Sequence, residues 1–161
     1  MFELKTIKAA SKRELYKELA LQVRGLLHDE RDLIANAANF SALLYHALPD
    51  VNWVGFYFLK NDELVVGPFQ GKPACVRIAM GKGVCGTAAA KRESIVVPDV
   101  NKFPGHIFCD GISLSEIVVP LVKDRELLGV LDMDSPKLLR FDEEDRVGLE
   151  QLAIVFLQSV A

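Results

Sequence analysis

What this sequence lacks narrows its function first. It has no excess of basic charge: 19 Lys and Arg stand against 22 Asp and Glu, for a net charge of −3, with both signs spread along the chain. Such a distribution offers no basic footprint for nucleic acid and no polybasic anchor for a membrane. No apolar run is long enough to cross a bilayer. The opening MFELKTIKAASKRELYKELA is charged and has no continuous apolar stretch, so it does not read as a signal peptide. The expectation is a cytoplasmic protein that binds neither nucleic acid nor membrane. Repeats, linkers and low-complexity segments are absent, and 161 residues suit a single domain. Cysteine is scarce as well: there are three, an odd count, and none forms a C-x-x-C pair. That disfavours a disulfide-stapled secreted domain.

What is present is apolar and regularly patterned. Half of the residues are hydrophobic, enough for a substantial core. Leu15, Leu19, Val23 and Leu26 recur at helical spacing over 12–27, with Ser11 and Glu14 in front as a capping-box pattern. Leu33, Ala37, Leu44 and Leu48 predict a second helix over 30–48, ended by Pro49. VNWVGFYFL (51–59) is β-branched and aromatic, hence a strand, and KNDE turns the chain into a second strand, LVVGPF. ACVRI (74–78) reads as a third. GKGVCGTAAAKRE is a glycine-rich loop entering a short helix, and SIVVP is a strand. Residues 99–113 read as a long loop, and such loops in compact domains often carry function. IVVPLV and LLGVLDMD are strands joined by KDRE, and a closing helix follows Asp142. Short connections favour an α+β layout, a mainly antiparallel sheet with helices packed on it. The chain then divides into N-terminal helices (1–48), a sheet with site loops (51–134) and a closing helix (142–161).

Two acids interrupt the last strand. Leu128, Val130, Asp132 and Asp134 share one face, because side chains alternate with period two. Glu116 lies on the preceding strand. A three-residue turn at 123–125 or 124–126 sets Glu116 opposite Asp132 or Asp134, whereas a two-residue turn at Asp124-Arg125 sets it opposite Met133. Like charges across a sheet are destabilising, so a cluster of this kind needs a cation or a retained proton. A solvated strand end is the bland alternative for Asp132 and Asp134. Trp53 and Tyr57 share a face of their strand. Core packing is the default for such aromatics; as a site they form an apolar, electron-rich wall suited to a cation or a methylthio group.

The cysteines leave several chemistries open. Cys75 lies on or near a strand, Cys85 in GKGVCGT beside a helix start, and Cys109 in FPGHIFCDG. Inert burial is the default for any one of them, weakened by two lying in glycine-rich loops. A zinc site of Cys75, Cys85, Cys109 and His106 fits by ligand type without spacing to support it. A Cys109/His106 nucleophile rests only on proximity in sequence. A thiol relay needs an attacking cysteine and a resolver within disulfide reach. Neither GKG nor GPFQGK matches a phosphate-binding loop. No metal and no cofactor is called for.

Taken together, NWVGFYFL, LVVGPFQGKPACVRI, GKGVCGTAAA, VPDV-NKFPGHIFCD, SEIVVPL and GVLDMDSP–RFDEED resemble the free methionine-R-sulfoxide reductases, which are GAF-domain enzymes. The resemblance runs in order from Asn52 to Asp145. The GPFQGKPAC, GVCGTAA and PGHIxCD blocks are not shared by GAF domains at large. The resemblance implies a GAF-like fold, a central antiparallel sheet of about six strands flanked by helices. It implies that Cys109 attacks, that Cys75 is the main resolving partner, and that Cys85 has a secondary role. It also implies that Trp53 and Tyr57 form the pocket wall, and that Glu116, Asp132 and Asp134 bind substrate and donate a proton.

The implied reaction explains those residue types. A sulfoxide oxygen must be protonated as a thiolate attacks the sulfur. Methionine leaves, the cysteine becomes a sulfenic acid, and a second thiol condenses with it to a disulfide. Thioredoxin or a similar dithiol then resets the enzyme. Glu116 and Asp134 are the candidate donors. Carboxylates that read a free ammonium would also reject peptide-bound substrate. The rival of a different class is a non-catalytic GAF module that senses a small, cyclic-nucleotide-like ligand. It requires no cysteine and usually accompanies an output domain, of which this sequence shows none. The helices at both ends leave a homodimer open, by analogy with other GAF proteins.

Overall fold

The computed structural model describes residues 2–161. Among them the chain forms four α-helices and six strands: α1 (Lys12–Leu27), α2 (Leu33–Ala47), β1 (Trp53–Lys60), β2 (Glu63–Gly71), β3 (Arg77–Ala79), α3 (Gly83–Lys91), β4 (Ile95–Val97), β5 (Ser115–Lys123), β6 (Glu126–Ser135) and α4 (Glu143–Ser159). One antiparallel sheet runs in the order β3-β2-β1-β6-β5-β4. This is the expected α+β, GAF-like architecture. None of the described helices is long and apolar enough to cross a membrane.

Local chemistry sets the helix ends. Ser11 Oγ accepts from the Glu14 N–H at 3.2 Å, as the pattern predicts, but Glu14 returns its carboxylate to the Ala10 N–H, at 2.7 Å, rather than to Ser11. Asp32 caps α2 by accepting from the Ala35 N–H, so that helix starts at Leu33, where the apolar stripe begins, rather than at residue 30. α4 opens with a complete reciprocal box between Asp142 and Asp145.

Helices α1, α2 and α4 cover one face of the sheet. Phe40, Phe56 and Phe156 meet there with ring centroids 4.6–5.5 Å apart. α1 and α4 approach closely at Gly148, where a methyl group would collide with the Tyr16 ring. A smaller apolar cluster fills the opposite face, under α3 and the loops around it, and includes Trp53, Tyr57, Val118 and Val130. The site lies on this second face.

The β5–β6 hairpin decides what the site contains. Its turn is the two-residue one at Asp124-Arg125, both at positive φ, and it pairs Lys123 with Glu126. That register alone would set Met133 opposite Glu116. Between Leu121 and Val122 the pairing slips by one: Val122 faces Leu127, Leu121 faces Gly129, and Leu128 is skipped. Gly129, at φ +154°, takes a backbone path that a Cβ would block against Tyr57 O. The bulge brings Glu116 directly opposite Asp134.

Candidate active site

Three carboxyls meet on the open face of the central strands. β1 pairs with β6 so that Trp53 faces Asp134, Gly55 faces Asp132 and Tyr57 faces Val130. The aromatic wall therefore stands on the same face as the acids, which the sequence left undecided. Gly55 makes the wall possible, because any side chain there would strike Phe69 and the indole of Trp53. Over that gap Trp53 stacks on Phe69, with centroids 5.2 Å apart, and on Tyr57 at 5.9 Å.

The wall also fixes the loop that carries Cys75. Trp53 Nε1 donates to the Lys72 carbonyl at 3.1 Å, and the Tyr57 hydroxyl donates to the Cys75 carbonyl at 3.0 Å. Cys75 belongs to this loop, since β3 starts only at Arg77. From the other side, Cys109 arrives on the loop between β4 and β5. Its neighbour Asp110 anchors that loop by accepting from the backbone N–H groups of Ile112 and Ser113 and from the Ser113 hydroxyl, at 2.8–3.2 Å. Burial opposes the charge on Asp110, but those backbone donors hold its carboxyl below the usual range. Cys75 and Cys109 are joined as a disulfide, with Cα atoms 5.5 Å apart across 34 residues of sequence. Cys109 lines a pocket together with Trp53, Tyr57, His106, Glu116, Asp132 and Asp134.

Cys85 corrects one expectation. It lies in the first turn of α3, not on a surface loop, and is 3% exposed. Its Sγ is 4.0 Å from Glu116 Oε1. Burial pushes its thiol well above the ordinary range, and Asp132 and Glu116 add to the shift, so Cys85 stays protonated at neutral pH. The zinc set is not assembled either. Cys75 and Cys109 are bonded to each other, and the donor atoms that fall within 4.8 Å of one another are those of Cys85, Glu116 and Asp132.

The acids are buried without a counter-charge. Glu116 and Asp132 are each 6% exposed, and Asp134 is half-buried. Among the described residues no lysine or arginine pairs with any of them; the one basic side chain in contact is His106, with Nε2 3.1 Å from Glu116 Oε2. Burial raises all three carboxyls well above the usual range. Asp134 adds to the shift of Glu116, Glu116 to that of Asp132, and Asp132 to that of Asp134. Asp132 Oδ1 is buried with no hydrogen-bond partner. The pocket thus offers carboxyls that hold their protons more readily than usual, and an unpaired acceptor. Such groups can protonate an oxygen or ionise around an incoming cation.

Sequence reasoning named eight of these residues and missed others. Phe69 gave no signal, because its role depends on pairing with Gly55 across two strands. His106 stands in the PGHIFCD block but was weighed only as a metal ligand or a partner of Cys109, whereas the fold gives it to Glu116.

This sheet, with three helices behind it and a loop-covered pocket in front, defines a small-molecule-binding domain of the GAF class. The sequence matches the GAF domain family over residues 13–160. It is 52% identical over 142 residues to the free methionine-R-sulfoxide reductase of Escherichia coli, covering 88% of this chain and 86% of that one. It is 47% identical over 151 residues to the enzyme of the same name from Saccharomyces cerevisiae, covering 89% and 84%. The free methionine-R-sulfoxide reductase of Neisseria meningitidis, solved in complex with its substrate, superposes with a TM-score of 0.95 at 46% identity, over 99% of this chain and 95% of that one. The chain belongs to the GAF-domain family of free methionine-R-sulfoxide reductases.

Proposed function

We propose that this protein reduces free L-methionine-R-sulfoxide to L-methionine. The observation that carries the reading is a disulfide-bonded cysteine pair, Cys75–Cys109, whose Cys109 lines the same pocket as carboxyls that hold their protons more readily than usual. In the reduced enzyme the Cys109 thiolate attacks the sulfoxide sulfur while a carboxylic acid, Glu116 or Asp134, protonates the departing oxygen. The sulfoxide gains two electrons and leaves as methionine; Cys109 loses two and becomes a sulfenic acid. Cys75 condenses with it, releasing water and forming the disulfide. A thioredoxin-type dithiol restores both thiols in the cytoplasm. Buried Cys85 takes no part in attack and stands by as a secondary resolver.

Substrate recognition follows from the missing cation. The ammonium of a free amino acid supplies the positive charge that the three acids lack, and Asp132 offers it an unpaired oxygen. An acylated amine leaves those acids unpaired. The methylthio group suits the Trp53–Tyr57 wall. A ligand-sensing GAF module would account for the pocket but not for a cysteine bridge that ends in it.

The test is a single turnover without reductant. Cys109→Ser should release no methionine, because a serine hydroxyl holds its proton too tightly to attack. Cys75→Ser should release about one methionine per site and stall as a sulfenic acid that a trapping reagent detects, unless Cys85 or an added small thiol resolves it. A burst from Cys109→Ser would reverse the assignment. A wild-type protein that is inert toward the free R epimer, or equally active on its N-acetyl derivative, would overturn the proposal.

A further inference from the structure

His106 lines the pocket, and the reaction above leaves it without a task. It lies three residues before Cys109, on the loop that closes the site. The ring is 9% exposed and presents Nε2 to Glu116 Oε2 at 3.1 Å. Its other nitrogen, Nδ1, is buried with no partner. Phe108 meets the ring edge-on, with centroids 4.5 Å apart, and Ile107 lodges against Gly83 at the start of α3, so the imidazole is fixed from both sides. A histidine kept only for packing would be expected to satisfy both nitrogens, or to turn one to water. Here the protein gives Nε2 a partner in Glu116 and gives Nδ1 none.

The three acids are not equivalent in this respect. Asp134 lies across the strand from Glu116, and Asp132 faces Val118. Only Glu116 has a nitrogen base within hydrogen-bond distance. We propose that His106 is the positioning residue for proton delivery: through Nε2 it selects Glu116 as the donor to the sulfoxide oxygen and holds the carboxylate that remains after transfer. The inference rests on the reductase reading above. Neutral imidazole donates Nε2–H to Glu116 Oε2, leaving the other carboxyl oxygen to carry the transferable proton. When that proton moves to the sulfoxide oxygen, the new carboxylate keeps a charge-assisted hydrogen bond from His106. The proton that Cys109 gives up on becoming a thiolate replaces the one Glu116 donates, so the cycle balances without an outside acid. Burial lowers the basicity of His106, with Asp110 opposing, which keeps the ring neutral as this role requires.

The charged and titratable groups facing Glu116 are Cys85 on α3, Asp132 and Asp134 on β6, Tyr57 on β1, and Asp110 and His106 on the loop. Of these, His106 makes the short contact, at 3.1 Å against 4.0 Å for the Cys85 thiol, and it donates to the ionised form without bringing a negative charge of its own. Its removal should weaken Glu116 as an acid and move the alkaline limb of the kcat–pH profile upward. His106→Leu is expected to lower kcat about 10–100-fold, the usual cost of a misplaced catalytic group. KM should change less than about threefold, because the acids that meet the ammonium remain. His106→Gln, which can present an N–H to the same oxygen, should recover most of kcat and the wild-type limb.

An independent readout covers a variant too unstable to assay. In wild-type protein the protonated-carboxyl stretch of Glu116, assigned by its disappearance in Glu116→Gln, should shift in His106→Leu and return in His106→Gln. Wild-type kcat and an unmoved limb in His106→Leu would overturn the inference while leaving the reductase reading intact. So would a fall in kcat that glutamine does not restore and that moves neither the limb nor the infrared band, which marks a packing role. An inactive wild-type enzyme would overturn the reductase reading itself, and the infrared result would still decide whether His106 holds Glu116.

Discussion

The sheet carries a buried acidic centre on each face, and the two have opposite surroundings. On the helical face, Asp145 is 1% exposed and fully matched: it accepts from Lys12 Nζ at 2.6 Å, the Tyr16 hydroxyl at 2.7 Å, the Asp142 N–H at 2.9 Å and Arg140 at 3.2 Å. These partners tie the start of α4 to α1 and to the chain before it. On the loop face, Glu116, Asp132 and Asp134 form no ion pair with a lysine or arginine among the described residues, and Asp132 has an oxygen with no hydrogen-bond partner. A buried acid surrounded by cations and donors has no capacity left for a ligand. A buried acid without them keeps its proton or waits for a charge to arrive. The difference in partners, not in burial, separates the structural centre from the candidate catalytic one.

The largest expected effect comes from the unmatched centre. Replacing Glu116 or Asp134 by its amide should lower kcat/KM by about 10²–10⁴-fold, the usual contribution of a positioned proton donor. Folding should be undisturbed, because an amide suits a site that holds neutral acids. Steady-state kinetics with thermal melts checks both halves, and an amide variant at full rate would remove that residue as the donor. Next is the matched centre. Asp145→Asn leaves Arg140 and Lys12 short of a counter-charge and should destabilise the fold by about 3 kcal/mol, or roughly 6–12 °C in Tm. Its kcat/KM should stay within about twofold at a temperature where it is folded. A stable but inactive Asp145→Asn would collapse the distinction between the two faces.

Much of this contrast was legible in the sequence, and the rest was hidden for identifiable reasons. Period-two alternation placed Asp132 and Asp134 on one face, since it depends only on neighbours along the strand. Helical spacing found α1 at Lys12–Leu27, and the resemblance to a known family brought the cysteines and the aromatic wall together. The partner of Glu116 was not readable. A two-residue turn and a bulge each shift the register by one, and only their combination restores Asp134 as the residue opposite. The turn alone, at Asp124-Arg125, points to Met133. Cys85 was misplaced because glycines on both sides suggest an exposed loop. Here Gly83 and Gly86 instead let α3 start tightly against its surroundings, where a Cβ on Gly86 would strike the Ala79 carbonyl. The role of Asp145 left no mark in the sequence, because Lys12 and Tyr16 lie more than a hundred residues away.

The smallest expected effect tests the protonation state that separates the two faces. Carboxyls whose pKa is raised by folding keep protons that the unfolded chain has already released above the usual carboxylate range of about 4. In that window the folded state binds more protons than the unfolded one, so stability falls as pH rises. His106 contributes the opposite slope. Its pKa is lowered by burial, so stability rises with pH until the unfolded ring has also lost its proton, at about 6.5. Cys85 adds a further loss only once the unfolded thiol ionises near 8.5. Between about pH 6.5 and 8 the acid centre therefore acts with little interference, whereas Asp110 and Asp142, with lowered pKa values, have finished titrating far below. Thermal melts across that interval should show the wild-type Tm falling, by about 4–8 °C for one excess proton held by the cluster throughout, equivalent to roughly 2 kcal/mol. Glu116→Gln removes one of the three protons at stake and relieves its neighbours of a potential negative charge, so its Tm should fall less over the same interval. A wild-type Tm that holds steady or rises, matched by Glu116→Gln, would mean that the three acids are ionised before any substrate arrives and draw their counter-charge from solvent.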